Sequence, residues 1–185
     1  MKKFLIFTFV AIAVIIILGW VTFFFIRKET KSHSPEELVS FTDNNLSIKL
    51  FYNRPFKKGR EIFGGLVPYD TVWRTGANEA TTFETNADLT FDGGKVLKKG
   101  KYTLWTIPRA ENWSVIFNSE FGQWGVNFDG QANRDPAKDV VSIDVHSVQQ
   151  EKEFEQFTIA FEKVGEEAEM VLMWDKTLVA VPFAY

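Results

Sequence analysis

Cysteine is absent from the 185 residues. That absence excludes a disulfide framework, a thiolate zinc site, a cysteine nucleophile and a lipidated cysteine anchor. Histidine is nearly absent as well: His33 and His146 are the only two. They leave no material for a histidine-rich metal site, and no Ser-His-Asp order stands out along the chain. A G-x-S-x-G elbow, a P-loop and an H-E-x-x-H helix are all missing, as are internal repeats and low-complexity tracts. Neither a cofactor nor a metal is expected.

Charge is missing from one long stretch. Phe4 to Ile26, FLIFTFVAIAVIIILGWVTFFFI, carries no ionisable side chain. As a helix it would be roughly 34 Å long, enough for a ~30 Å hydrocarbon core. A cleaved signal peptide has a shorter apolar region, about 7–15 residues, and a small-x-small site after it. Here the run ends in Phe23-Phe24-Phe25-Ile26-Arg27-Lys28, so an uncleaved transmembrane anchor over 4–26 is expected, behind a short flank at 1–3. Lys2 and Lys3 balance Arg27, Lys28 and Lys31, and the positive-inside rule decides little about orientation. Residues 27–41 read as a polar stem with a short helix. Within it, Ser34-Pro35-Glu36-Glu37 has the order of a capping box, and the helix is expected to end near Phe41.

Residues 42–185 suit one domain, with apolar and aromatic content ample for a core. Their dominant pattern has period two. Leu46, Ile48 and Leu50 alternate with Ser47 and Lys49; Trp113, Val115 and Phe117 with Ser114, Ile116 and Asn118; Val141, Ile143 and Val145 with Ser142, Asp144 and His146. Phe157, Ile159 and Phe161 follow, then Met170, Leu172 and Trp174. Each reads as a strand with one wet face. Tyr102 to Ile107 is apolar on both faces and belongs in the middle of a sheet. Asp92-Gly93-Gly94, Lys99-Gly100, Pro108, Asn112, Gly165 and Asp175 supply turns. The expected fold is all-β: an antiparallel β-sandwich, with jelly-roll-like or barrel-like variants open, behind one N-terminal transmembrane helix.

Charge is unevenly spread. Asp139 to Asp175 holds ten acidic and two basic residues, an acidic outer surface. Asn53 to Gly76 has the opposite bias: Arg54, Lys57, Lys58, Arg60 and Arg74 against Glu61 and Asp70. Such a patch could receive a carboxylate, a phosphate or an acidic sugar, or dock on the acidic strands of its own domain. It is too small for a nucleic-acid partner. The loop Asp129 to Asp135 has oxygen ligands at alternate positions, but Arg134 stands where an EF-hand needs glycine and Val140 where it needs glutamate.

The segment IFGGLVPYDTVWRTGANEATTF, Ile62 to Phe83, concentrates Trp73, Arg74, Asn78 and Glu79 between turn formers. It supports two readings. In one, Arg74 and Glu79 form a buried pair, Asn78 bonds the backbone of a long loop, and Trp73 is core. In the other, these groups converge in a pocket walled by Trp73, Trp105 or Trp124, suited to sugars, peptides or polar metabolites. Glu79 is then the one weak catalytic candidate, as a desolvated acid or base, and no second carboxylate is identifiable. The ligand-binding candidates are Arg54, Arg60, Trp73, Arg74, Asn78, Glu79 and Trp124. Among the tryptophans, Trp113 and Trp174 fall on core positions, while Trp124 in Phe121-Gly122-Gln123-Trp124-Gly125 lies on a glycine-rich loop.

GGLVPYDTVWRTGANEATTF, followed by GGKVLKKGKYTLWTIP, NWSVIFN, QWG and FTIAFE, resembles the domain of unknown function 2911 family, known mainly from bacteria of the Bacteroidetes group. The likeness covers about residues 53–182. It implies an exported, mostly β domain and no particular reaction; members commonly carry a cleavable leader, where this chain has an anchor-like run. The expectation is a membrane-anchored, periplasmic or otherwise extracytoplasmic β-sandwich, a binding or envelope-associated module for a small polar or anionic ligand. A hydrolase acting on saccharide or peptide and a structural domain docking an envelope protein are the alternatives.

Overall fold

The computed structural model describes residues 2–185, with side chains from Phe7 onward except at positions 10 and 11. Met1 of the expected flank, and the side chains at 4–6, 10 and 11 of the expected anchor, lie outside the described residues. The first element is a helix, α1 (Lys2–His33). Its stretch from Phe7 to His33 is long and apolar enough to cross a membrane, and none of its most apolar window is buried. The helix does not stop at Ile26: it continues through Arg27 and Lys28 to His33, so the first part of the expected stem is helical. Lys31 and His33 in its last turn face the negative end of the helix dipole.

Ser34–Tyr185 forms a separate compact unit. It contains nine strands: β1 (Glu36–Asp43), β2 (Leu46–Asn53), β3 (Thr82–Thr85), β4 (Leu89–Phe91), β5 (Lys95–Leu97), β6 (Gly100–Ile107), β7 (Asn112–Asn118), β8 (Asp139–Val164) and β9 (Glu167–Ala184). The short helix expected near 34–41 is not formed; those residues are β1. All eight residues of β1 pair with β2, from Glu36↔Asn53 to Asp43↔Leu46, around a two-residue turn with Asn44 at φ 49°. The capping signal is local and weak, whereas alternation of Glu37, Val39 and Phe41 toward the domain satisfies a full ladder.

All pairings between strands are antiparallel, in the order β1-β2-β3-β6-β7-β8-β9-β4-β5, and the sheet does not close. It folds over on itself. In a flat sheet, β7 and β4 would stand three strand spacings apart, roughly 14 Å. Yet the rings of Phe117 on β7 and Phe91 on β4 have centroids 5.4 Å apart. Likewise Tyr52 on β2 meets Phe157 on β8 at 5.7 Å, and Phe83 on β3 meets Phe161 at 6.3 Å. The two halves of the sheet therefore face each other as in a sandwich, and the all-β expectation is met.

β8 belongs to both halves. Residues 139–146 pair with β7, and residues from 147 on pair with β9, with register shifts between Gln149, Phe154 and Thr158. The two period-two runs expected as separate strands are one, because nothing between them breaks the chain: no glycine or proline lies from 139 to 164. Asp175 is not a turn between strands either. It sits inside β9 at φ 55°, opposite the irregular part of β8, where the ladder bends. Gly165 does make its turn, at φ 63° between Val164 and Glu167.

Between the layers lies a core of buried side chains from β2 to β9. Its centre is aromatic: Trp113, Phe157 and Trp174 are buried, and the half-buried Phe63 and Trp73 pack on them, with Trp73 stacked on Trp174 at 6.0 Å and 19°. As expected, Trp113 and Trp174 are core and β6 is buried on both faces. β7 departs from expectation, since Ser114, Ile116 and Asn118 are buried as well. Its outer face is covered. Ala80, Trp105 and Ile116 form a second, smaller apolar cluster there, with Val72, Ile107 and Ala132 packed against it.

Candidate functional site

Residues 54–81 connect β2 to β3 without regular structure, and the two ends of this connection behave differently. At its start the basic residues are tied to the domain itself. The Arg54 Nε donates to the Phe157 carbonyl (3.1 Å) and Nη2 to Thr158 Oγ1 (2.8 Å), while Nη1 pairs with Glu37. Lys57 sits between Glu153 (3.0 Å) and Asp175 (2.6 Å). Arg60 is exposed and its Nε donates to the Lys57 carbonyl at 2.9 Å. The expected cationic patch is thus largely spent on fastening this connection to β1, β8 and β9.

The second end is the motif around Trp73. Trp73 and Thr106 exchange backbone hydrogen bonds (2.7 and 3.0 Å), which lays this segment beside β6. The Trp73 ring enters the aromatic core, with Nε1 donating to the Gly76 carbonyl at 2.9 Å. It is a core residue. The chain then turns sharply: Thr75, Gly76 and Asn78 have φ of 53°, 153° and 55°. A β-branched residue in the left-handed region is strained by about 1–3 kcal/mol. Burial and two contacts hold Thr75 there, its Oγ1 3.1 Å from Thr106 Oγ1 and its carbonyl accepting from Thr81 Oγ1 at 2.6 Å. Gly76 is needed because a Cβ would come 2.9 Å from the Asn53 carbonyl oxygen.

Asn53, fully buried at the end of β2, organises the rest of this turn. Its Nδ2 donates to Glu79 Oε2 (3.1 Å), its Oδ1 accepts from Asn78 Nδ2 (3.4 Å), and its carbonyl accepts from Ala77 N (3.3 Å). Asn78 and Glu79, both singled out in the motif, are thereby joined to one residue.

Arg74 lies beneath the loop 119–135, which together with a 3-10 turn at Pro136–Lys138 connects β7 to β8. A Cβ on Gly125 would come 2.6 Å from the Arg74 Cδ, and Gly125 is at φ 96°. The loop is pinned to the sheet by Thr103 Oγ1 donating to the Glu120 carbonyl (2.7 Å) and Asn118 Nδ2 to the Asp135 carbonyl (2.8 Å). Ala80 N donates to the Gln123 carbonyl at 3.3 Å. Under this cover, burial lowers the Arg74 pKa, and the charge of Glu79 works in the opposite direction. Arg74 Nη1 and Gln123 Oε1 are both buried without a hydrogen-bond partner among the described residues.

Of the residues singled out from sequence, Arg74, Asn78 and Glu79 are brought together, and Trp124, 40% exposed, is joined to them through Gly125. Trp105 is completely buried, its Nε1 bonded to Thr103 Oγ1, and lines no opening. Asn53, Thr75, Gln123 and Gly125 are the residues that sequence reasoning missed. The glycine-rich Phe121–Gly125 segment was the only signal for the last two, and nothing local marks Asn53, which reads as the end of a strand. His146 is exposed on β8, as its alternation expects.

A family model described as protein of unknown function (DUF2911) matches residues 34–183. No curated protein and no solved structure matches the chain.

Proposed function

The chain belongs to the DUF2911 family, and from that premise we propose that it is a membrane-anchored, extracytoplasmic binding module, with α1 as the anchor and Arg74 as the centre of a site for a small polar or anionic ligand. The observation that carries the reading is the buried Arg74 Nη1, which has no partner among the described residues. A buried donor left unbonded costs about 1–3 kcal/mol or more when charged. A ligand carboxylate, or a comparable oxygen acceptor, relieves that cost and gains a charge-assisted bond. Strain at Thr75, the residue after Arg74, is the kind of backbone distortion that binding sites retain. Glu79 is engaged by Asn53 and counterbalances Arg74, which favours an orienting role over acid–base chemistry and binding over hydrolysis.

Because the unit 34–185 contains every strand and the whole core, it is a suitable sample for the test. Its thermal unfolding is followed with acetate, uronic acids, short peptides, peptidoglycan fragments and phosphate, each beside Arg74→Met. A ligand at about 100 times its Kd adds about 2.7 kcal/mol of stability. The expected result is a shift with a carboxylate-bearing compound that Arg74→Met abolishes. A shift that survives the substitution, or no shift with any of these compounds, overturns the proposal. For the anchor, the full-length protein is expected to resist alkaline extraction from membranes, with its domain digested by protease added outside the cytoplasmic membrane.

A further inference from the structure

The loop 119–135 carries a second surface, resting on observations independent of Arg74. Three of its aromatic side chains stand in water: Phe121 at 52%, Trp124 at 40% and Phe128 at full exposure. The Phe121 ring has Lys101 Nζ 5.2 Å from its centroid; Trp124 and Phe128 make no ring contact among the described residues. This exposure is built rather than loose. Phe128 tips a tight turn in which Asn127 N donates to the Gln131 carbonyl (2.8 Å) and Gly130 N to the Asn127 carbonyl (3.1 Å). The Asn127 Oδ1 accepts from both Asp129 N (3.0 Å) and Gln131 N (2.9 Å). Below it, Val126 and Ala132 form a bridge, and Ala132 packs on the outer cluster of Trp105 and Ile116. A turn this well bonded holds a phenyl ring away from every apolar neighbour.

We infer that this loop is a docking surface for a neutral saccharide chain. The same loop carries Gln131 and Asn133, exposed, with side-chain amides that bond to no described residue. An amide offers donor and acceptor together, as each sugar hydroxyl does, and an aromatic face covers the apolar C–H face of a pyranose. Charge selects among polymers. Glu120, Asp129 and Asp135 are exposed and outnumber the exposed cations beside them, Lys101 and Lys138, whereas Arg134 is paired with Asp139. A negative surface repels polyuronates and anionic lipid alike, and leaves the uncharged polymer as the matching occupant.

Affinity electrophoresis of residues 34–185 tests this, with hydroxyethylcellulose, xylan, laminarin, galactomannan and alginate cast separately in the gels. Retardation by at least one neutral polymer is expected, reduced about tenfold in apparent affinity by Phe128→Ala and by Trp124→Ala. Phe128→Tyr keeps the ring and keeps the retardation. The bound polymer is also expected to shield Trp124, the most exposed of the domain's tryptophans, from acrylamide quenching. Retardation by none of the four neutral polymers, stronger retardation by alginate, or equal retardation of the alanine variants overturns the inference. Self-association of the domain lost in Phe128→Ala assigns the surface to a second copy of the chain and overturns it as well.

Discussion

Arg54 and Arg74 lie in the same irregular connection, twenty positions apart, and have opposite fates. Arg54 uses all three guanidinium nitrogens on β8 and on Glu37 of β1. Arg74 is half-buried beneath Gly125 and has a buried nitrogen with no partner among the described residues. The same side chain is a fastener in one place and an open valence in the other. What separates them is the surroundings: the first meets strand carbonyls and a carboxylate, the second meets a strained turn and a glycine-rich cover. A cationic residue in a loop thus identifies a site only when its own domain leaves it unsatisfied.

Four measurements bear on this contrast. The largest effect is expected at Trp73, Arg74's neighbour in sequence, which stands on the structural side. Trp73→Ala should cost about 3–5 kcal/mol in urea unfolding, since it empties the centre of the aromatic core. Arg54→Met comes next, at about 2–3 kcal/mol for the charge-assisted bonds it removes. Were that loss below about 0.5 kcal/mol, Arg54 would be no fastener and the contrast would fail. Arg74→Met should be neutral or stabilising, by up to about 2 kcal/mol, because it removes the unbonded donor while Glu79 keeps its bond to Asn53. A penalty matching that of Arg54→Met would make both arginines fasteners.

The smallest effect is one of pH. Burial pushes the Tyr52 phenol up to about 12, above its usual value near 10, with Arg54 opposing the shift. Below pH 10 both folded and unfolded states keep the proton and the contribution is whole. Between pH 10 and 12 the unfolded chain releases it first, and stability falls. Urea midpoints measured across that window should decline less steeply in Tyr52→Phe. An unchanged slope would remove Tyr52 from the account.

Much of the architecture is legible in the chain because alternation is local: β2, the two halves of β8 and the first half of β9 can be read from period two, and β6 from its unbroken apolar run. The exceptions have non-local causes. Ser34 to Glu37 carries a helix signal, but the ladder to β2 decides it. The outer face of β7 reads as wet from Ser114 and Asn118, and only the fold reveals the loop 119–135 lying across it. Within the candidate site, Arg74, Asn78 and Glu79 stand close in sequence and are visible as a group. Asn53, which joins Asn78 to Glu79, comes from 25 residues upstream of Asn78. That Arg54 is satisfied and Arg74 is not depends on partners on β1 and β8, more than a hundred positions away for Phe157 and Thr158.

The pairing of Phe91 with Phe183 has a consequence for the order of events during synthesis. β4 and β5 are made early, yet their place in the sheet is beside the last residues of β9. β4 takes that place only once Phe183 has been made, and contacts of such long sequence separation form slowly. Truncation before Phe183 should leave β4 and β5 without their neighbour in the sheet.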